Sequence, residues 1–92
     1  MVKAKVVVKW KAGLHQRPSS DLVKMANKYK SLIQITNGKD VADAKSILSL
    51  FLLVATCGTE LTISIDGEDE IIALDELKFF FDKGDGEETL KK

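Results

Sequence analysis

The 92-residue sequence contains one cysteine, one proline and one histidine, and each scarcity excludes something. Cys57 has no second cysteine with which to form an intramolecular disulfide, and neither a second Cys nor a second His is present to build a metal site, so neither a metal nor a cofactor is expected. An excess of one charge sign is missing too: 14 Lys and Arg balance 14 Asp and Glu, and no whole-molecule field draws the chain to nucleic acid or to an anionic membrane. Long apolar runs are absent. The longest, Ile47 to Cys57, is interrupted by Ser49 and Thr56 and falls short of the roughly 20 residues that span a bilayer. No basic segment followed by a signal-peptide core opens the sequence, so a reducing, cytoplasmic setting without membrane insertion is expected. With an apolar fraction of 45%, 92 residues can bury one core and are too few for two ordinary domains. One monomeric domain over residues 1–92 is the expectation.

What is present is strongly patterned. From Val2 to Trp10 the even positions are Val2, Ala4, Val6, Val8 and Trp10, and the odd ones Lys3, Lys5, Val7 and Lys9, which is the period of a half-buried strand. Pro18 is tolerated in a helix only within about a turn of its start, so a helix is expected from about Gln16 to Lys28, with Leu22, Ala26 and Tyr29 inward and Val23 and Met25 at the edges. Leu32 to Thr36 is β-prone, Asn37-Gly38 signals a hairpin, and a strand near Lys39 to Ala42 should pair back. Ser46 can cap a helix, apolar nearly all round, that Gly58 ends; Leu50, Leu53 and Val54 supply its inward face. Leu61, Ile63 and Ile65 alternate as a fourth strand. Asp66-Gly67 then turns the chain into a last helix that buries Ala73, Leu74, Leu77 and one or two of Phe79 to Phe81. A frayed, charged tail is expected from Asp82 to Lys92. The fold class is α+β, β-α-β-β-α-β-α, with one sheet covered by helices on one face.

The chemistry concentrates at Gly13-Leu14-His15-Gln16-Arg17-Pro18. A helix start offers four backbone N–H groups without intrahelical partners and a positive dipole end, which suits an anion. Imidazole is the side chain that is a substantial neutral nucleophile near neutral pH, and Arg17 offers a planar fork for phosphoryl oxygens. A phosphohistidine that forms and is discharged fits these residues. So does a plainer arrangement, with His15 merely capping the helix and Arg17 a solvated charge; spacing alone leaves both open.

Beyond its spacing, the segment Gly13 to Pro18 resembles the active-site motif of the HPr family, the phosphocarriers of the phosphoenolpyruvate-dependent phosphotransferase system. Ala44-Lys45-Ser46-Ile47, and Gly58-Thr59-Glu60 leading to Gly67-Glu68-Asp69-Glu70, agree in register, so that the likeness covers nearly the whole chain. It implies an antiparallel sheet of strand order 1-4-2-3 under three helices. It also implies that His15 takes phosphate on Nδ1 from Enzyme I and passes it to an enzyme II A domain of a sugar permease, with Arg17 assisting. Ser46 would be the target of an ATP-dependent serine kinase. The sequence departs from the family pattern at Gln16 and Ser19, where alanines are usual, at Ser49 and Val54, where glycine or another small residue is common, and at Leu52, a frequent serine. The apolar 48–54 run resembles the nitrogen-related branch, in which a regulatory relative would act by binding a transcription regulator or an enzyme.

Ile47, Leu48 and Phe51 are left over once one face of the second helix is buried, and they define either a docking patch beside His15 or an unusually enclosed helix. The acidic group Asp66, Glu68, Asp69 and Glu70 opens a helix, where the dipole favours carboxylates, and reads as structural. A nucleic-acid role for Lys3, Lys5, Lys9 and Lys11 is disfavoured by zero net charge and by their place on a strand's solvent face.

Overall fold

Alternation of side chains decides which surface each strand buries, and the computed structural model, which describes residues 1–84, follows it closely. The elements are β1 (Val2–Val7), α1 (Gln16–Ala26), β2 (Leu32–Asn37), β3 (Asp40–Asp43), α2 (Ile47–Leu52), β4 (Glu60–Asp66) and α3 (Glu70–Lys83). Among the described residues the four strands form one antiparallel sheet in the order β1-β4-β2-β3. Register aligns the apolar residues in rows: Val2 opposite Ile65 opposite Ile33, and Ala4 opposite Ile63 opposite Ile35, which in turn faces Ala42. These rows form the floor of the core. Leu22 and Ala26 of α1, Leu50 of α2 and Ala73, Leu77, Phe80 and Phe81 of α3 close it from one side.

β1 ends at Val7, three residues before the expected limit, yet Val8 and Trp10 keep the inward alternation and are buried. The Val8 N–H donates to the Thr59 carbonyl at 2.9 Å, and its carbonyl accepts from the Gly58 N–H at 2.8 Å. Trp10 packs edge to tilted face on Phe80 and Phe81, with ring centroids 5.2 and 5.5 Å away. α1 stops at Ala26 instead of Lys28: the Lys28 and Tyr29 N–H groups bond to the Met25 and Ala26 carbonyls, three residues back, and the Asn27 side-chain amide donates to the Val23 carbonyl at 2.8 Å. Tyr29 therefore lies beyond the helix, half-buried, with its hydroxyl donating to Glu76 of α3; that bond pushes the phenol up to about 12.

The second helix is the main departure. α2 has six residues and ends well before Gly58. Its last turn tightens, with Leu53 and Val54 N–H groups bonding to carbonyls three residues back, and Val54 then takes φ +51°, a left-handed conformation costly for a β-branched residue. The carbonyls that a longer helix would use are taken elsewhere: Leu53 accepts from the Asn37 amide at 3.2 Å and Ala55 from the Leu14 N–H at 2.8 Å. Val54, expected inside, is 73% exposed; Leu50 and Leu53 are buried as expected.

α3 runs on through Asp82 and Lys83, residues expected in the tail; 85–92, with Leu90, lie outside the described residues. Of the three phenylalanines Phe80 and Phe81 are buried and Phe79 is exposed. The acidic group at its start is structural in a more specific way than a dipole effect. Asp69 accepts from the N–H groups of Lys30 and Ser31 at 2.9 and 3.0 Å and from the Ser31 hydroxyl. That hydroxyl bond, followed by the Lys30 N–H, holds the Asp69 carboxyl below its ordinary range. Glu70 reaches back to the Gly67 N–H at 3.1 Å, which lowers its carboxyl as well.

Candidate functional site

Two constraints meet at Gly13. Its φ is +77°, and a Cβ there would lie 2.5 Å from the Ala55 carbonyl oxygen, so both the turn and the close approach require glycine. The Gly13 N–H donates to Trp10 and the Leu14 N–H to Ala55, each at 2.8 Å, while the Leu14 side chain is buried. The loop before the helix is thereby fastened at two points, and the next residue is His15.

His15 is the N-cap of α1, in extended conformation with φ −87° and ψ −166°. It occupies the capping position without capping: its side chain makes no cap hydrogen bond, so the imidazole is not spent on the helix. The side chain is exposed. Its carbonyl accepts the first helical bond from the Ser19 N–H at 3.0 Å, and its own N–H donates to Gly13 at 2.8 Å. Pro18 brings no N–H. The four anion-binding groups anticipated from sequence thus reduce to two, the N–H groups of Gln16 and Arg17. Ser19, a departure from the family alanine, is fully buried and donates its hydroxyl to the Leu14 carbonyl at 3.1 Å, which ties the first turn to the loop that carries His15.

Arg17 is exposed and shares a cleft with His15. Trp10, Pro18 and Phe80 supply apolar wall, and Lys83 borders the cleft from the end of α3. Lys9 secures that end by donating to the Asp82 carbonyl at 3.2 Å. A carboxylate stands there too: Asp21, one turn beyond Arg17, borders both this cleft and a shallower hollow formed with Gln16 and Ser20. Neither Asp21 nor Lys83 figures among the sequence candidates. The i, i+4 spacing of Arg17 and Asp21 is a signal that could have found the first; Lys83 enters only through the tertiary placement of α3. Among the described residues no group of three or more His, Cys, Asp or Glu gathers as a metal centre, and no helix is long and apolar enough to cross a membrane.

Ser46 is the N-cap of α2, and its hydroxyl oxygen accepts from the Ser49 N–H at 3.3 Å. Ile47, Leu48 and Phe51 all project to solvent, Leu48 at 65% and Phe51 at 43% exposure. Leu52 and Val54 are exposed beside them and enlarge the apolar surface beyond the three expected residues. The Leu14–Ala55 bond couples the segment that follows α2 to the residue preceding His15, and α2 packs against α1.

Comparison with known proteins places these features in a wider set. Residues 2–83 match the family described as PTS HPr component phosphorylation site. The chain is 49% identical over 65 residues to the phosphocarrier protein HPr of Haemophilus influenzae, covering 71% of this chain and 76% of that one. It is 40% identical to the HPr-like protein Crh of Bacillus subtilis, over 84% of this chain and 91% of that one. A crystal structure of HPr from Thermoanaerobacter tengcongensis superposes with a TM-score of 0.89 at 30% identity, covering 94% and 97% of the two chains.

Proposed function

The chain belongs to the HPr family of phosphotransferase-system phosphocarriers, and from that premise we propose that His15 is the residue that carries the phosphoryl group, taken from Enzyme I and handed to an enzyme II A domain for sugar uptake in the cytoplasm. The observation that carries this reading is a lone, exposed imidazole at the start of α1 that makes no capping bond, beside Arg17 and two N–H groups of the first turn. Phosphoryl oxygens attached to the ring would be met by those donors and by the positive end of the helix. The imidazole is the nucleophile. Arg17 gathers charge as the group passes between partners, and Ser19 and Gly13 hold the loop still while it does.

Ile47, Leu48 and Phe51 form the docking surface for Enzyme I and for the acceptor. Ser46 is the regulatory site of a serine kinase: a phosphate there adds about −1.5 to −2 charge at the cap of α2, next to that surface. A relative that acts only by binding a transcription regulator would have no use for a free imidazole in a phosphate-ready position, and this favours the carrier over the nitrogen-branch or regulatory alternative. Incubation with Enzyme I and radiolabelled phosphoenolpyruvate tests the assignment. One acid-labile, base-stable phosphate is expected on the parent and none on His15→Ala; undiminished labelling of the variant would overturn it.

A further inference from the structure

Asp21 is the anionic side chain that borders both depressions flanking His15. It sits four residues after Arg17 on the same helix face, yet among the described residues it makes no ion pair, with Arg17 or any other cation, and no side-chain hydrogen bond. Its carboxylate is therefore unpaired among the described residues, and it lines the same depressions as His15, where the phosphoryl group would rest. We propose that Asp21 sets the phosphoryl-transfer potential of the site: it destabilises the loaded form of His15 relative to the empty one, so that the carrier gives up its phosphate more readily. The inference deepens the phosphocarrier reading of His15 and rests on it.

The charge argument follows from what changes on discharge. The phosphorus–nitrogen bond to His15 breaks and its electron pair stays on the ring nitrogen, while a bond forms between phosphorus and the acceptor's nucleophilic atom. Any proton released by the acceptor is matched by one taken up on the His15 ring. The site thus loses a group of about −1.5 to −2 charge, and any fixed charge nearby biases that equilibrium by its different interaction with the loaded and empty states. Arg17 and Lys83 favour loading. Asp21 opposes it: it borders the cleft that Lys83 also lines and, in addition, the hollow with Gln16 and Ser20, which Lys83 does not reach.

The test poises the parent, Asp21→Asn and Asp21→Glu with catalytic Enzyme I at a fixed ratio of phosphoenolpyruvate to pyruvate, and reads phosphorylated against free protein by ³¹P NMR. At low ionic strength Asp21→Asn should raise the loaded-to-free ratio roughly two- to five-fold, the range of interactions between exposed charges. Asp21→Glu should stay near the parent, and the gap should close as salt approaches about 0.5 M. A merely structural residue would not give that salt dependence. An unchanged or lowered ratio for Asp21→Asn, or a rise indifferent to salt, overturns the role of Asp21 alone. A parent that takes no phosphate under these conditions overturns the phosphocarrier reading with it.

Discussion

Replacing Leu48 by glutamate separates a docking surface from a packing surface, because the structure makes the two costs very different. Leu48 is 65% exposed, so only about a third of its side chain leaves water on folding. Full burial of a leucine is worth about 1.5–3 kcal/mol, and a third of that is roughly 0.5–1 kcal/mol. A domain of this size loses about 4–8 °C of Tm per kcal/mol, so Leu48→Glu should lower the melting temperature by no more than about 8 °C. Leu50 is the internal control: it lies on the opposite side of α2 at 1% exposure, and Leu50→Ala should cost about 2–5 kcal/mol. The interface should respond in the opposite order. A charge placed at the centre of the apolar patch should weaken binding to Enzyme I by about 1–3 kcal/mol, on the order of ten- to a hundredfold in Kd. Calorimetric melting and titration calorimetry on the same preparations measure both quantities. If Leu48→Glu collapses the melting transition, or melts normally and binds Enzyme I as tightly as the parent, the docking assignment fails. Phe51→Glu and Ser46→Asp extend the test across the patch, the second keeping a capping oxygen on α2 while adding charge beside it.

Arg17→Ala should leave the fold intact, since the side chain is exposed, and slow phosphoryl transfer from Enzyme I roughly ten- to hundredfold in rapid-quench assays; equal rates would show that the helix N–H groups suffice. Val54→Gly should stabilise the domain by about 1 kcal/mol, since relief of a left-handed β-branched residue, worth about 1–3 kcal/mol, outweighs the added freedom of glycine in the unfolded chain, about 0.4–1. A lower urea midpoint for that variant would refute the strain argument. Asp69 has a folded pKa below its unfolded value, so its stabilisation is complete above about pH 4 and disappears as pH falls through the depressed folded value. Asp69→Asn should be less stable than the parent at neutral pH and show a shallower acid limb in denaturant midpoints measured against pH; parallel curves would show that the carboxylate charge does not matter.

Periodicity made most of the fold legible. Alternation found the inward rows of β1 and β4, and the single proline fixed the start of α1 because its missing N–H fits only a first turn. The extent of α2 was not legible, since composition favours helix through residue 54, while the interruption comes from Asn37 and Leu14, which lie far away in sequence and claim the Leu53 and Ala55 carbonyls. The same limit applies to the site. The places of His15 and Arg17 at the start of α1 and of Ser46 at the cap of α2 could be read from local context. Lys83 could not be read, because α3 brings it to the cleft from the other end of the chain, and the buried hydroxyl of Ser19 declares itself only when Leu14 is in place. Local rules describe each element; the partners that terminate or complete it are tertiary.

Among the described residues strand β1 has a single strand neighbour in the sheet, β4, whose residues are made last among the strands. During synthesis at about 5–20 residues per second, the first strand therefore waits for several seconds with an unpaired edge before its complement leaves the ribosome. Ala55, against which Gly13 and Leu14 close, arrives just ahead of β4. The nascent chain can form the hairpin of β2 and β3 early, but the loop bearing His15 has nothing to close against until most of the described chain exists. The order in which the strands are made thus delays closure of the loop bearing His15, and a translational pause before residue 60 should yield a ribosome-bound chain in which that loop is still open.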